Sequence, residues 1–197
     1  MLKDLRGYMK EEYQKIETPM ELLKWMSKNI GYGYITKEKE IILPNQESYQ
    51  ERWFQEYRLQ DAEEVLKTGI ATCWDQVELE RDWFLKHGYA IKTFFEMVSL
   101  EYSNPYPTHT FLVYQDEQGN WNWFENADIN HRGIYKFETL EECLKKEREI
   151  YCETLKEYKI SKEELSKIIM TEYEKPASML ACEEYLDFVV ESKKVMQ

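Results

Sequence analysis

Thr68-Gly69-Ile70-Ala71-Thr72-Cys73-Trp74-Asp75-Gln76 runs directly into a helical pattern that closes at His87-Gly88. Thr72 stands as an N-cap, and Asp75 three residues on makes a partial capping box, with Asp where Glu or Gln is usual. Cys73 is therefore predicted to open a helix. A thiol in that place meets unpaired backbone N–H groups and the positive end of the helix dipole, both of which favour thiolate over thiol. The same N–H groups can hold an oxyanion. A free cysteine is more often a small hydrophobe under a helix, so position alone does not make Cys73 a nucleophile. The line Cys73, Val77, Glu80 and Phe84, with Trp74, Trp83 and Leu85 beside it, predicts a mostly buried helix. His87 before Gly88 reads as a structural C-cap residue.

Downstream the apolar period changes from helical to extended. Residues 89–100, 108–114 and 121–124 are predicted strands. The last two are joined across Gln115-Asp116-Glu117-Gln118-Gly119-Asn120, where Asp116 to Gly119 has the pattern of a type I turn with a left-handed glycine. After Phe137 the pattern returns to helix: a charged run over 140–158, a capping box at Ser161-Lys162-Glu163-Glu164 opening another, and a last helix over 179–190.

Upstream, Leu2, Leu5, Met9 and Tyr13 predict an amphipathic helix over 2–16, and Thr18-Pro19 opens a second that Gly31 stops. Short extended pieces are expected at 32–35 and 40–43, and helical runs at 47–57 and 61–67. The expected fold class is α+β, with helices first, an antiparallel sheet, then helices. A single domain is expected over residues 1–197: a core at about 61–137, flanked by an N-terminal helical region (1–60) and a C-terminal helical region (138–197).

The 197 residues are 43% hydrophobic and 32% charged, enough for a packed core. A formal charge of −12 repels phosphate backbones and anionic membrane surfaces, so neither nucleic acid nor membrane is an expected partner. Met1-Leu2-Lys3-Asp4-Leu5-Arg6 carries charge where a secretion signal needs an apolar block, and the chain reads as cytoplasmic. Cys73, Cys143, Cys152 and Cys182 show no CxxC pair and no alternation with histidine. They read as reduced thiols, with no metal and no cofactor expected.

Nucleophilic cysteine chemistry needs an imidazole to take the thiol proton and an acceptor to orient that imidazole. Of three histidines, His131 falls in a loop and His87 is explained by its cap. His109 starts a strand. If Asp116 and Asn120 close the turn, His109, Phe111 and Val113 share a face with Trp121, Trp123 and Glu125. Glu125 is then a diagonal neighbour of His109, within reach of its Nδ1–H. A one-residue slip would substitute Asn126, and a chain reversal after the strand would bring Asp128.

The order and setting of these residues resemble the transglutaminase-like superfamily. Gly69 to Asp75 is similar to its nucleophile segment, and Leu85-Lys86-His87-Gly88-Tyr89 to the end of its central helix. His109 to Tyr114 with Gly119-Asn120-Trp121 is similar to its histidine strand and hairpin. The resemblance spans residues 61–128. It departs at the acid position, where aspartate is usual and Glu125-Asn126-Ala127-Asp128 stands, and at Thr72, where a small residue is common. The resemblance implies a papain-like core with a central helix on an antiparallel sheet. It also implies acyl transfer or hydrolysis on a peptide or carboxamide carbonyl by Cys73, His109 and Glu125, with a peptide, a protein or a small amide as substrate.

Gln55, Trp53 and Gln76 are candidates for a second oxyanion donor. Two alternatives stand beside this reading: a non-catalytic protein-binding module on the same fold, and an acyltransferase like the arylamine N-acetyltransferases, whose arginine-glycine-glycine lead into the cysteine is missing here.

Overall fold

The computed structural model describes residues 9–99 and 106–196. The expected N-terminal helix therefore lies partly outside the described residues; of it, residues 9–13 are helical. Helix α1 (Pro19–Asn29) starts at Thr18, whose hydroxyl accepts from the Glu21 N–H while the Glu21 carboxylate accepts from the Thr18 N–H. Leu22, Leu23, Trp25 and Met26 bury its apolar face.

A compact run of short elements follows: β1 (Gly31–Tyr32), β2 (Tyr34–Thr36), β3 (Ile41–Ile42), α2 (Tyr49–Glu56), β4 (Tyr57–Arg58), α3 (Ala62–Thr68) and β5 (Ile70–Ala71). Strands β3, β2 and β4 form one small sheet, and β1 pairs with β5 in parallel. The N-terminal region expected to be helical (1–60), with extended pieces at 32–35 and 40–43, thus carries four two- or three-residue strands, and a fifth, β5, follows it. Their work is to seat the chain leading to Cys73.

Helix α4 (Cys73–Lys86) is the central helix, buried almost all round. Its line is as expected at Val77, Glu80 and Phe84, but Leu85 points to solvent at 55% exposure, because the last turn leaves the core. Strands β6 (Ile91–Val98), β7 (His109–Gln115), β8 (Trp121–Glu125) and β9 (Gly133–Phe137), helix α5 (Leu140–Lys156), the single turn α6 (Lys162–Leu165), β10 (Ile168–Tyr173), helix α7 (Cys182–Val190) and β11 (Lys193–Met196) complete the chain. The main sheet has the order β11-β10-β6-β7-β8-β9 and is antiparallel throughout. Its two faces are covered differently. Phe95, Leu112, Tyr114 and Phe124 pack with Val77 and Phe84 of α4, whereas Phe94, Phe111, Val113 and Trp123 pack with Cys143, Leu144 and Ile150 of α5.

The α+β class with an antiparallel sheet is therefore the observed one. The purely helical C-terminal region is not. The capping box at Ser161 yields only one turn, after which Ile168-Ile169-Met170-Thr171-Glu172-Tyr173 enters the sheet beside β6. Ile168 to Thr171 are buried on both faces of that strand, so the segment shows no alternation to betray it.

Candidate functional site

Thr72 and Asp75 fix the start of α4. Asp75 Oδ2 accepts from the Thr72 N–H at 2.8 Å and its hydroxyl at 2.9 Å; Oδ1 accepts from the Tyr57 hydroxyl and the Gln60 N–H, both at 2.8 Å. Burial raises the Asp75 pKa to about 6, and these four hydrogen bonds restrain it from going further. It is ionised at neutral pH. The carboxylate clamps β4 and the loop after it to the turn that presents Cys73.

His109 is placed by its neighbours. Trp74 Nε1 donates to Thr108 Oγ1 at 3.1 Å, tying the residue after Cys73 to the residue before His109. On the other side, the Tyr151 hydroxyl of α5 donates to the Pro107 carbonyl at 2.6 Å. The entry to β7 is thus held from both layers.

The hairpin register follows the expected turn. Asp116 N–H donates to the Asn120 carbonyl, Gly119 has φ of 84°, and Leu112 lies opposite Phe124. Glu125 reaches His109 diagonally: His109 Nε2 lies 2.9 Å from Glu125 Oε2, while Glu125 Oε1 accepts from the Asp128 N–H at 2.8 Å. Both carboxylate oxygens are thereby oriented. The ring is turned over relative to the sequence expectation, which gave Nδ1 to the acid. With Nε2 spent on Glu125, Nδ1 is left for the thiol.

The other two acid-position candidates spend their hydrogen bonds elsewhere. Asn126 donates from Nδ2 to Gln76 Oε1 at 2.7 Å, and Asp128 pairs with His131 Nδ1 at 2.7 Å. Burial by itself would lower the His109 pKa. The Glu125 charge, hydrogen bonding to the Cys73 and Glu125 side chains, and the Glu147 charge outweigh it and hold the imidazole well above its ordinary range.

Cys73 is 6% exposed, yet it is not sealed in the core. It lines a cavity of about 170 Å³ together with Tyr32, His109, Trp123, Asp128 and Glu147. The three expected oxyanion donors do not line this cavity. Gln76 is buried, its amide donating to the Ala71 carbonyl and its oxygen accepting from Asn126; Gln55 is exposed on α2; the Trp53 side chain hydrogen-bonds with Cys182.

Two lining residues escaped the sequence reading. Glu147 sits on the apolar stripe Cys143, Leu144, Glu147, Ile150 and Tyr151 of α5, and an acid on such a stripe was the available signal. Burial, then the charge of Glu96 and hydrogen bonding with it, push the Glu147 pKa well above the carboxylate range. Tyr32 stands between Gly31 and Gly33. A Cβ at Gly31 would come within 2.9 Å of Ile70 Cδ1, and one at Gly33 within 2.7 Å of the Ile42 carbonyl oxygen and 2.8 Å of Ile70 Cγ2. Gly33 thus leaves no room for a side chain against the β3 backbone, whereas at Gly31 only the tip of Ile70 would have to move.

His87 has its expected role, with Nδ1 2.8 Å from the Trp83 carbonyl oxygen and its ring stacked on Trp83. Among the described residues, no group of three or more His, Cys, Asp or Glu side chains is arranged to hold a metal ion. No described helix is long and apolar enough to cross a membrane. The chain matches no protein-family model and no curated protein.

Proposed function

We propose that the protein is a transglutaminase-like cysteine enzyme that acts by acyl transfer or hydrolysis on a peptide or carboxamide carbonyl. One observation carries the reading: Cys73 at a helix N-terminus and His109 line one cavity, and Glu125, from a third element, hydrogen-bonds the far side of the imidazole. Each residue type has the position its role demands.

In the reaction Cys73 Sγ bonds to the carbonyl carbon as the carbonyl π pair moves on to oxygen, and the thiol proton passes to His109 Nδ1. The oxyanion forms against the Cys73 backbone N–H at the head of α4. Its collapse breaks the C–N bond, and His109 returns the proton to the departing amine. A thioester on Cys73 remains. Water gives the acid on deacylation, and a second amine gives a new amide. Glu125 keeps the ring in the tautomer that leaves Nδ1 free and stabilises the imidazolium that exists while each tetrahedral intermediate stands.

Selective alkylation tests the nucleophile. Burial pushes the Cys143 and Cys182 thiols up to about 12 and raises Cys152 as well, so these three stay protonated in mild acid. Iodoacetamide at pH 6 should label Cys73 alone by peptide mass analysis, and His109→Ala should slow that labelling by tenfold or more. Equal labelling of all four thiols after unfolding, with none labelled in the native protein, would leave a binding module as the better reading.

A further inference from the structure

The site as described has one oxyanion donor, the Cys73 N–H, and tetrahedral intermediates are normally held by two or more. Tyr32, Thr108, Tyr151 and Thr154 bring hydroxyls to the cavity; Thr108 accepts from Trp74 and Tyr151 donates to the Pro107 carbonyl, and Tyr32 is the one whose strand lies beside the chain leading to Cys73. β1 lies parallel to β5 with Gly31 opposite Ile70 and Tyr32 opposite Ala71, and the Gly31 N–H donates to the Gly69 carbonyl at 2.8 Å. Two residues beyond Ala71 the chain reaches Cys73, so this pairing suspends Tyr32 over the head of α4. The residue as a whole is 41% exposed. Tyr32 lines the same cavity as Cys73 and His109, and its phenol interacts with both the Cys73 side chain and the Cys73 backbone N–H.

We infer that the Tyr32 hydroxyl is the second oxyanion donor of the Cys73 site, an inference that rests on the acyl-transfer reading above. In the free protein the hydroxyl oxygen stands at the backbone N–H, where the carbonyl oxygen of a substrate would bind. An incoming carbonyl takes that N–H, and the displaced hydroxyl rotates about the tyrosine side-chain bonds to direct its O–H at the same oxygen. The group is suited to the task. Burial, then the neighbouring Cys73 and Tyr49, keep the phenol neutral far above the working pH, so it always has a proton to donate. No proton is transferred by Tyr32: it donates a hydrogen bond as negative charge develops and keeps its proton when the intermediate collapses.

The discriminating variant is Tyr32→Phe, which keeps the ring and deletes the hydroxyl. p-Nitrophenyl acetate acylates a thiolate through an oxyanion, expelling p-nitrophenolate. Iodoacetamide alkylates it by displacement at a saturated carbon, where no carbonyl oxygen gains charge. Tyr32→Phe should therefore slow the acetylation of Cys73 by about 10², while alkylation at pH 8 changes by less than about threefold. Acetylation left unchanged, made faster, or slowed in step with alkylation would overturn the assignment to Tyr32 and leave the acyl-transfer reading standing. If Cys73→Ala released p-nitrophenolate as fast as the unaltered protein, both would fall together.

Discussion

Glu125 shows most directly how one residue gathers the site. It is 2% exposed, holds His109 through one oxygen and the Asp128 N–H through the other, and has no freedom to do either differently. Removing it in Glu125→Ala should leave Cys73 in place but release the imidazole. The alkylation rate of Cys73 should fall by tenfold or more at pH 6, and its pH profile should move to higher pH. An unchanged profile in Glu125→Ala beside a shifted one in Asp128→Ala would move the orienting role to Asp128.

Stability gives a second measure of the same pair. The raised His109 pKa means that the native state keeps a proton the unfolded chain loses above about 6.5. The stabilisation is full below that pH and is lost as pH rises through the folded value. The stability gap between the unaltered protein and Glu125→Ala should therefore be widest below about pH 6.5 and should narrow in alkali. Urea titrations across that range measure it.

Among the elements, α4 is the one on which the others depend, and its first turn is held by Asp75. The carboxylate accepts from two backbone N–H groups and two hydroxyls within the solvent-excluded interior. Asp75→Ala strands all four donors and should destabilise the fold by about 3–5 kcal/mol in urea unfolding; a loss under 1 kcal/mol would mean that water replaces the clamp. Further along, α4 carries a second buried acid. Glu80 is 2% exposed and its Oε2 has no hydrogen-bond partner among the described residues. Burial, then the Glu125 charge, push its pKa well above the carboxylate range.

The native state thus binds a proton at Glu80 that the unfolded chain gives up above about 4.3, and Glu80 draws stability down as pH rises through its folded value. Glu80→Gln removes that titration. The variant should gain on the unaltered protein as pH rises above about 5, until Glu80 ionises in the fold, and a constant difference from there upward would show that Glu80 is already ionised in the fold.

The whole molecule is a sheet between unlike helical layers, and the cavity lies where both layers reach the start of β7. Cys73 and Trp74 come from one layer, Glu147 and Tyr151 from the other, and His109 from the sheet between them. The chain by itself determined much of this. Capping residues at Thr18, Thr72 and Ser161 marked helix starts, since a cap acts within three residues of chain. The Asp116 to Asn120 turn determined the β7–β8 register, and with it the meeting of His109 and Glu125, because a tight turn leaves a hairpin one alignment.

Tertiary structure decided what depends on distant partners. β10 is drawn into the sheet by pairing with β6 some eighty residues earlier, Tyr173 opposite Thr93, and a strand buried on both faces carries no alternation of its own. Tyr32 reaches Cys73 only through the pairing of β1 with β5, a contact between two-residue strands too short to leave a periodic trace. The turn of the His109 ring, with Nε2 on the acid and Nδ1 on the thiol side, follows from where α4 ends up relative to the sheet. Local rules place residues along an element, and only packing places elements against each other.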